Sequence, residues 1–145
     1  MKKVVKGFHG LSRSELMSRI RSKGNKKTEV AFLRFLRGAR ITGWRRHQVL
    51  VGHPDFVFRT QRLAVFVDGC FWHNCPIHGH IPVENTSFWS AKLARNMARD
   101  KAVTRELRAK GWHVVRIWEH DLRPKDVVKV LKRLKAARIY CPKVA

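Results

Sequence analysis

Acidic residues and cysteines are both scarce in this chain. Of its 145 residues, 10 are Asp or Glu and 32 are Lys or Arg, which gives a formal net charge of +22. The 3 cysteines are an odd number and too few for the disulfide framework of a small secreted protein. The composition therefore excludes a disulfide scaffold and fits a reducing compartment or a metal site.

Long apolar runs are also missing. No stretch reaches the roughly 18 apolar residues that a membrane-spanning helix needs. The basic start, 1–6, is followed by Gly7-Phe8-His9-Gly10 instead of the apolar core of a signal peptide, so we expect a cytoplasmic protein. The 44% of hydrophobic residues is too high for a disordered basic tail and sufficient for the core of one domain.

The excess of positive charge indicates a polyanionic partner. Counterion release makes a phosphate backbone the commonest partner of such a chain, so the charge favours nucleic acid over a merely solvated basic surface. Charge alone does not separate an enzyme from a packaging protein. Each of the 10 acids is informative, because an acid weakens phosphate binding unless it caps a helix, pairs with a cation or holds a metal.

Apolar periodicity predicts a single α/β domain with a central mixed sheet flanked by helices. We expect a flexible basic segment over 1–10, the domain over 11–137 and a tail over 138–145. The predicted strands are 44–51, 55–58, 63–67 and 112–118. The predicted helices are 12–21, one capped by Thr28, one over 86–110 and one opening at Pro124.

The periodicity also assigns buried faces to two of these helices. The helix after Thr28 should turn its apolar residues inward, namely Val30, Leu33, Phe35 and Leu36. The long helix should bury a second apolar set, namely Phe88, Leu93, Met97, Val103 and Leu107.

Two acids stand at the ends of a predicted hairpin. Asp55 begins its first strand, Asp68 follows its second, and 59–62 is the polar turn between them. Strands of similar length bring both ends to the same sheet edge, where two carboxylates can hold Mg²⁺ against a scissile phosphate. Each acid taken alone is equally well a turn residue, but the pair in so basic a chain favours a catalytic site.

Glu29 has a simpler explanation. An acid in the first turn of a helix interacts favourably with the helix dipole. It becomes a candidate for the metal site only if that helix packs beside the hairpin.

A dense group of soft metal ligands follows the hairpin. Cys70, Cys75 and His78 lie within nine residues of a loop that has no apolar period, and zinc requires four such ligands. We select His120 as the fourth, with His80 and Cys141 as alternatives. Free buried cysteines with surface histidines are the competing interpretation.

Three residues inside that loop are further candidates. Phe71 and Trp72 are adjacent large aromatics, which ordinarily pack in a core but can also wedge between base steps. His73 follows directly and titrates near neutrality, so it could accept a proton from an attacking water. Its alternatives are a zinc ligand or a plain surface residue.

Five segments together resemble the very short patch repair endonucleases. They are Pro54-Asp55, the string Val65-Phe66-Val67-Asp68-Gly69-Cys70-Phe71-Trp72-His73, the pairs Phe88-Trp89 and Arg95-Asn96, and Val115-Arg116-Ile117-Trp118-Glu119. The resemblance covers about 17–122. It implies a restriction-endonuclease-like fold, a structural zinc, and Mg²⁺-dependent nicking of DNA 5′ to the thymine of a T:G mismatch left by deamination of 5-methylcytosine.

The resemblance also implies roles for single residues. Asp55 would be the metal-binding catalytic aspartate, and the backbone carbonyl of Val67 a second Mg²⁺ contact. His73 would be the general base and Glu29 a supporting acid. The remaining roles are intercalation beside the mismatch, by Phe71, Trp72 and Met17, and zinc binding, by Cys70, Cys75, His78 and His120.

The sequence departs from the family pattern at three points. The predicted zinc ligands are two cysteines and two histidines, whereas some members use three cysteines. Asp68 stands where some members have a histidine, so it is a candidate ligand or phosphate contact. Restriction-type nucleases often carry a lysine two residues after the second acid; that position is Cys70 here, and His73 would take over the function.

The resemblance implies a monomer acting on mismatched double-stranded DNA, with mismatch-repair proteins as further partners. Two other functions stay open: a restriction-like nuclease that needs no mismatch, and a zinc-stabilised DNA-binding protein without catalysis. The acids and His73 argue against the non-catalytic protein, and the aromatic pair favours mismatch recognition.

Overall fold

A computed structural model describes residues 26–139 of the chain. The predicted helix over 12–21, with Met17, and the alternative zinc ligand Cys141 lie outside these residues. A π-helical turn, Lys26–Val30, leads into α1, Ala31–Gly38. The strands β1, Trp44–Arg45, β2, Phe56–Phe58, and β3, Leu63–Asp68, follow.

The second half of the described chain returns to the same sheet. Helix α2 spans Thr86–Ala109 and strand β4 spans His113–Trp118. Two short 3₁₀ turns, Glu119–Leu122 and Pro124–Asp126, then lead into helix α3, Val127–Ala136. None of the described helices is both long and apolar enough to cross a bilayer.

The described strands form one four-stranded mixed sheet in the order β1-β2-β3-β4. The first three strands pair antiparallel, while β3 and β4 are parallel, with Phe66 opposite Arg116 and Asp68 opposite Trp118. Parallel neighbours need a long crossover connection, and α2 supplies it. The predicted mixed α/β domain is therefore confirmed.

Strand β3 is the centre of the core, and all its residues are buried. Alternate side chains of a strand point to opposite sheet faces. Leu63, Val65 and Val67 belong to the larger apolar cluster, with side chains of α1 and α3. Ala64 and Phe66 pack with Leu107 of α2 on the other side. The fold thus has a helix layer on each sheet face, and α2 covers the face that carries Asp68.

One local prediction near α1 is wrong, and a second is confirmed in part. Thr28 does not cap a helix: it is buried inside the π-helical turn, so helical structure begins before it. Of the predicted inward residues, Leu36 is buried, and Leu33 and Phe35 are half-buried and pack against the core. The prediction omitted Phe32, which is fully buried, and included Val30, which is half-buried in the π-helical turn.

Two further predictions need correction. Only Trp44–Arg45 of the predicted strand 44–51 pairs with β2, because β2 itself offers just three residues. In α2, Phe88 is 54% exposed and Trp89 is 1% exposed, the reverse of the expected orientation for Phe88. Trp89 takes the inner position because Phe71 of the preceding loop packs against it, with ring centroids 5.3 Å apart.

Candidate active site and metal centre

Asp55 lies where the two ends of the β2–β3 hairpin meet. The backbone N–H of Val67 donates a 2.7 Å hydrogen bond to the Asp55 carboxylate. Burial raises the pKa of Asp55 to about 6; the Val67 hydrogen bond opposes this, and the negative charges of Glu29 and Asp68 add to it. A carboxylate in such surroundings is held in its charged form by a cation, and its oxygens are the ligands that Mg²⁺ prefers.

Glu29 lies close enough to this edge for its charge to raise the pKa of Asp55. The π-helical turn that carries it therefore packs beside the hairpin. This packing is the condition under which Glu29 becomes a candidate for the metal site. Its carboxylate is buried and forms an ion pair with Arg46, which makes a 3.0 Å bond through Nε and a second contact through its terminal nitrogen.

Asp68 is at the same edge but already has a cation. Arg116, on the neighbouring strand β4, places a terminal guanidinium nitrogen 3.1 Å from each carboxylate oxygen of Asp68. Burial raises the pKa of Asp68 despite the opposing charges of His73 and Arg116. The structure therefore brings the two predicted acids to one edge and gives them different partners.

His73 reaches the same site from the loop after β3. Its Nδ1 lies 2.5 Å from a carboxylate oxygen of Asp100 and 3.7 Å from one of Asp68. Burial lowers the pKa of His73, but the Asp100 hydrogen bond and the charges of both acids outweigh it, so the pKa is raised overall. An Nδ1–H that donates to Asp100 leaves Nε2 as the nitrogen that can accept a proton.

Sequence reasoning did not identify Asp100. It lies in α2, 27 positions from His73, and only the fold brings the two together. One sequence feature could have indicated it: Asp100 is an acid within a helix segment that otherwise carries Lys92, Arg95, Arg99 and Lys101.

The four predicted zinc ligands lie together. His120 Nδ1 is 3.3 Å from Cys70 Sγ and 3.6 Å from Cys75 Sγ, and His78 Nδ1 is 4.0 Å from each sulfur. Zinc bonds of about 2.3 Å to sulfur and 2.0–2.1 Å to nitrogen in a tetrahedron place ligand atoms at separations of this order. The donor set therefore fits zinc.

Burial raises the pKa of the Cys70 thiol to about 12, so a metal is what would hold this sulfur as a thiolate. The alternative ligand His80 is not among the four. Its Nδ1 faces the His78 carbonyl at 3.4 Å.

Two segments hold the four predicted zinc ligands in place. The loop is closed by backbone bonds from Cys75 N–H to the Cys70 carbonyl and from Gly79 N–H to the Cys75 carbonyl. A side chain at Gly79 would come within 2.5 Å of that carbonyl, so this position requires glycine. His120 comes from the 3₁₀ turn after β4, and the Cys70 N–H donates to Glu119 of that turn. A bound metal would tie the loop to the end of β4.

The aromatic pair of the loop is divided between core and surface. Phe71 is buried against Trp89, while Trp72 is only partly buried and meets Phe71 edge-on at 5.2 Å. The Lys92 ammonium lies 5.3 Å from the Trp72 ring, and Asn96 donates to the Trp72 carbonyl at 3.0 Å. Trp72 therefore lies on the side of α2 that presents basic residues.

Comparison with known proteins identifies a family and several enzymes to which this chain is similar. Residues 7–78 match the family model described as DNA mismatch endonuclease Vsr. The chain is 53% identical over 68 residues to the type II nicking enzyme V.NaeI of Lentzea aerocolonigenes, an alignment that covers 47% of this chain and 41% of that protein.

Two further relatives are similar over longer stretches. The type II nicking enzyme V.XorIIP of Xanthomonas oryzae is 38% identical over 112 residues, covering 76% of this chain and 81% of that enzyme. The DNA mismatch endonuclease Vsr of Escherichia coli is 38% identical over 82 residues, covering 53% of this chain and 50% of its own length.

Proposed function

Because this chain belongs to the Vsr family of DNA endonucleases, we propose that it nicks one strand of a DNA duplex 5′ to the thymine of a T:G mismatch and so initiates very short patch repair. The observation that carries the proposal is the meeting of Asp55, His73 and Asp100 at one edge of the sheet in a strongly basic, DNA-acting chain. The mismatch is the substrate named for the family and for its Escherichia coli relative.

The proposed mechanism assigns Mg²⁺ to the Asp55 carboxylate and the backbone carbonyl of Val67. When bound, Mg²⁺ supplies charge stabilisation to the phosphate and makes a bound water more acidic. The Val67 N–H orients the Asp55 carboxylate by its 2.7 Å bond. His73 accepts a proton at Nε2 while Asp100 holds its Nδ1–H. Glu29 supports the site by its negative charge near Asp55.

Mismatch selection is assigned to the aromatic side chains. Phe71 and Trp72, with Met17, would enter the stack beside the weakened T:G pair, where unstacking costs less than at a matched pair. Trp72 is the better placed of the two loop aromatics because part of its ring is accessible. Phe71 is buried against Trp89, so its entry into the stack requires the loop to move when DNA binds.

Zinc is proposed as the structural metal of the loop. Cys70, Cys75, His78 and His120 would hold it, and the same loop carries Phe71, Trp72 and His73. Zinc would therefore fix the positions of the two aromatic side chains and of the general base His73 relative to β4. A hairpin that carries the acids, with helices on both sheet faces, also supports the restriction-endonuclease-like fold that the resemblance implies.

The setting of this activity follows from its substrate. We infer a monomer that works on genomic DNA in the bacterial cytoplasm, together with mismatch-repair proteins. The boundaries 1–10, 11–137 and 138–145 are kept as the proposed arrangement of tails and domain.

A second function has support in the names of two relatives. The enzymes from Lentzea and Xanthomonas are called type II nicking enzymes, a name that specifies nicking without specifying a mismatch. A restriction-like nickase of matched DNA would use the same Asp55 and His73. The two functions differ in substrate alone, so the substrate decides between them.

The decisive experiment compares two duplexes in the presence of Mg²⁺, one with a central T:G mismatch and one fully matched, with the flanking bases varied. We expect a single nick 5′ to the mismatched thymine and no nick in the matched duplex. Asp55→Asn should slow nicking by at least about 10²-fold, the scale of losing a group that stabilises transition-state charge, while DNA binding measured by fluorescence anisotropy persists.

Asp126→Asn is the matched control, since Asp126 lies in the 3₁₀ turn before α3, and it should nick normally. Equal nicking of both duplexes would replace the proposal with the restriction-like function. Retained nicking by Asp55→Asn would remove the catalytic assignment, and binding without nicking in any sequence context would leave the non-catalytic DNA-binding protein.

A further inference from the structure

Arg116 occupies the centre of the acidic part of the site and has no role in the assignments above. It lies opposite Phe66 in the parallel β3–β4 pair, and its guanidinium carbon is 4.3 Å from the centre of the Phe66 ring. Its side chain is 22% exposed. The strand pairing and the aromatic ring fix the plane of the guanidinium under α2.

Every nitrogen of this guanidinium has a partner. Nε donates to the Thr104 hydroxyl at 3.1 Å, one terminal nitrogen contacts both Asp68 oxygens at 3.1 Å, and the other donates to the Asp100 carbonyl at 3.3 Å. The Asp100 carboxylate lies 3.6 Å from the Asp68-facing nitrogen. Arg116 thus connects β3, β4 and α2 at the point where His73 enters.

The two acids compete for the same ring nitrogen of His73. Asp100 lies 2.5 Å from Nδ1, and Asp68 lies 3.7 Å from it. Donor atoms of Asp68, His73 and Asp100 all lie within 4.8 Å of one another, a spacing that could also hold a metal ion. The Arg116 guanidinium already supplies positive charge to this cluster and engages both oxygens of Asp68.

We propose that Arg116 is a positioning residue for the nicking reaction, and the proposal rests on the function proposed above. By binding both oxygens of Asp68, Arg116 keeps that acid away from His73 and leaves Asp100 as the acceptor for Nδ1–H. The His73 ring then presents Nε2 in one orientation. Asp68 serves as the anchor of Arg116 and not as a ligand of the catalytic metal.

The test is a double-mutant cycle on single-turnover nicking, using Arg116→Gln, Asp68→Asn and the double variant. Arg116→Gln should slow nicking by about 10²-fold, the cost of a small misplacement of a reacting group, with the Kd for the duplex unchanged. The double variant should be at least about tenfold faster than Arg116→Gln, because contacting charged residues couple on this scale.

Arg116→Lys should recover part of the rate, since an ammonium can neutralise Asp68 but cannot reach Thr104 and Asp100 at the same time. Arg123→Gln, a change at an exposed arginine, is the control for lost positive charge and should nick at the normal rate. Rates in the double variant equal to the product of the single effects would overturn the proposal, as would an Arg116→Gln variant that loses DNA affinity instead of rate.

A second readout separates this proposal from the nuclease function itself. The ring-proton NMR signal of His73, assigned with His73→Gln, should move in Arg116→Gln and return toward its original position in the double variant. This measurement needs no substrate. An unmoved His73 signal would overturn the positioning role even if nicking is confirmed, and a moved signal would support the role even if the substrate proves to be matched DNA.

Discussion

At the scale of single residues, Phe88 and Trp89 are neighbours with opposite surroundings. Trp89 is 1% exposed, and Phe88 is 54% exposed. We predict that Trp89→Ala lowers the free energy of unfolding by about 3–5 kcal/mol, because it removes a buried ring that three other aromatics contact. Phe88→Ala should cost under about 1 kcal/mol, since most of that ring is in contact with solvent.

Equilibrium unfolding in urea measures both variants against the unaltered chain. Equal losses would contradict the orientation of α2 described here. The two variants also separate effects on stability from effects on DNA binding. Because Phe88→Ala should keep the fold, any loss of DNA binding in that variant would come from the exposed surface around Phe88.

His120 and His80, two histidines near the predicted zinc site, also differ in their surroundings. His120 contacts both cysteine sulfurs at 3.3 and 3.6 Å, whereas His80 lies outside the cluster. We predict one zinc per chain in the purified protein, its loss in His120→Ala and its retention in His80→Ala, because zinc needs a full set of protein ligands in a structural site. Elemental analysis after exhaustive dialysis measures the metal.

Removing zinc with a chelator should also unfold the 70–78 loop and abolish nicking, since that loop carries His73. A folded, active, zinc-free protein would contradict the assignment. Loss of zinc in His80→Ala equal to that in His120→Ala would mean that the loop itself, rather than the ligand set, determines metal binding.

At the scale of elements, one broad side of α2 carries both an acid of the candidate active site and a row of basic residues. Asp100 faces the active site, and Lys92 and Asn96 contact Trp72. Residues three and four apart share a helix face, so the exposed Arg95 and Arg99 extend the side of Lys92. A duplex that places a phosphate near His73 and a base step near Trp72 would run beside this side of the helix.

We predict that Arg95→Gln and Arg99→Gln each weaken binding to matched and mismatched duplexes alike. Each lost phosphate contact should reduce the slope of log K against log salt by about 1. Arg108→Gln, near the other end of α2 and on a different side, is the control and should leave the slope unchanged. A loss confined to T:G duplexes would show base or mismatch contact in place of phosphate contact.

The elements that were predicted correctly are those fixed by local pattern. Two short apolar runs on either side of a polar turn predicted β2 and β3, and with them the meeting of Asp55 and Asp68 at one edge. Helical periodicity placed α2, and β-branched alternation placed β4. The ligand types in the loop and the position of His120 after β4 were enough to predict a Cys/His cluster that the structure brings together and that could hold a metal ion.

The features that sequence reasoning missed depend on distant partners. The predicted strand over 44–51 is reduced to Trp44–Arg45, because β2 pairs with only these two residues. Asp100 and His73 are 27 positions apart in the sequence, and Arg116 and Asp68 are 48 positions apart. No local pattern of apolar residues encodes contacts between such distant positions. The inner place of Trp89 depends on Phe71, which belongs to the loop after β3 and packs against the Trp89 ring.

At the scale of the whole molecule, the net charge of +22 acts on stability as well as on DNA binding. Like charges spread over a compact surface repel one another and destabilise the folded state. Salt screens this repulsion, with a Debye length near 10 Å at 0.1 M. The ion pairs at Asp68, Glu29 and Asp121 are partly buried, so salt should weaken them less than it weakens the surface repulsion.

We therefore predict that the thermal midpoint rises as NaCl increases from 0.02 to 0.3 M (about 15-fold in salt, across the range where screening changes most). A gain of about 1 kcal/mol corresponds to a shift of roughly 3 °C for a domain of this size. Differential scanning calorimetry with zinc present measures it. Sodium sulfate at equal ionic strength is the control for the identity of the anion: an equal rise indicates general screening, and a larger one indicates an additional effect of sulfate, by binding or by exclusion from the surface. A midpoint that falls with salt would mean that the partly buried ion pairs outweigh the repulsion among the surface cations.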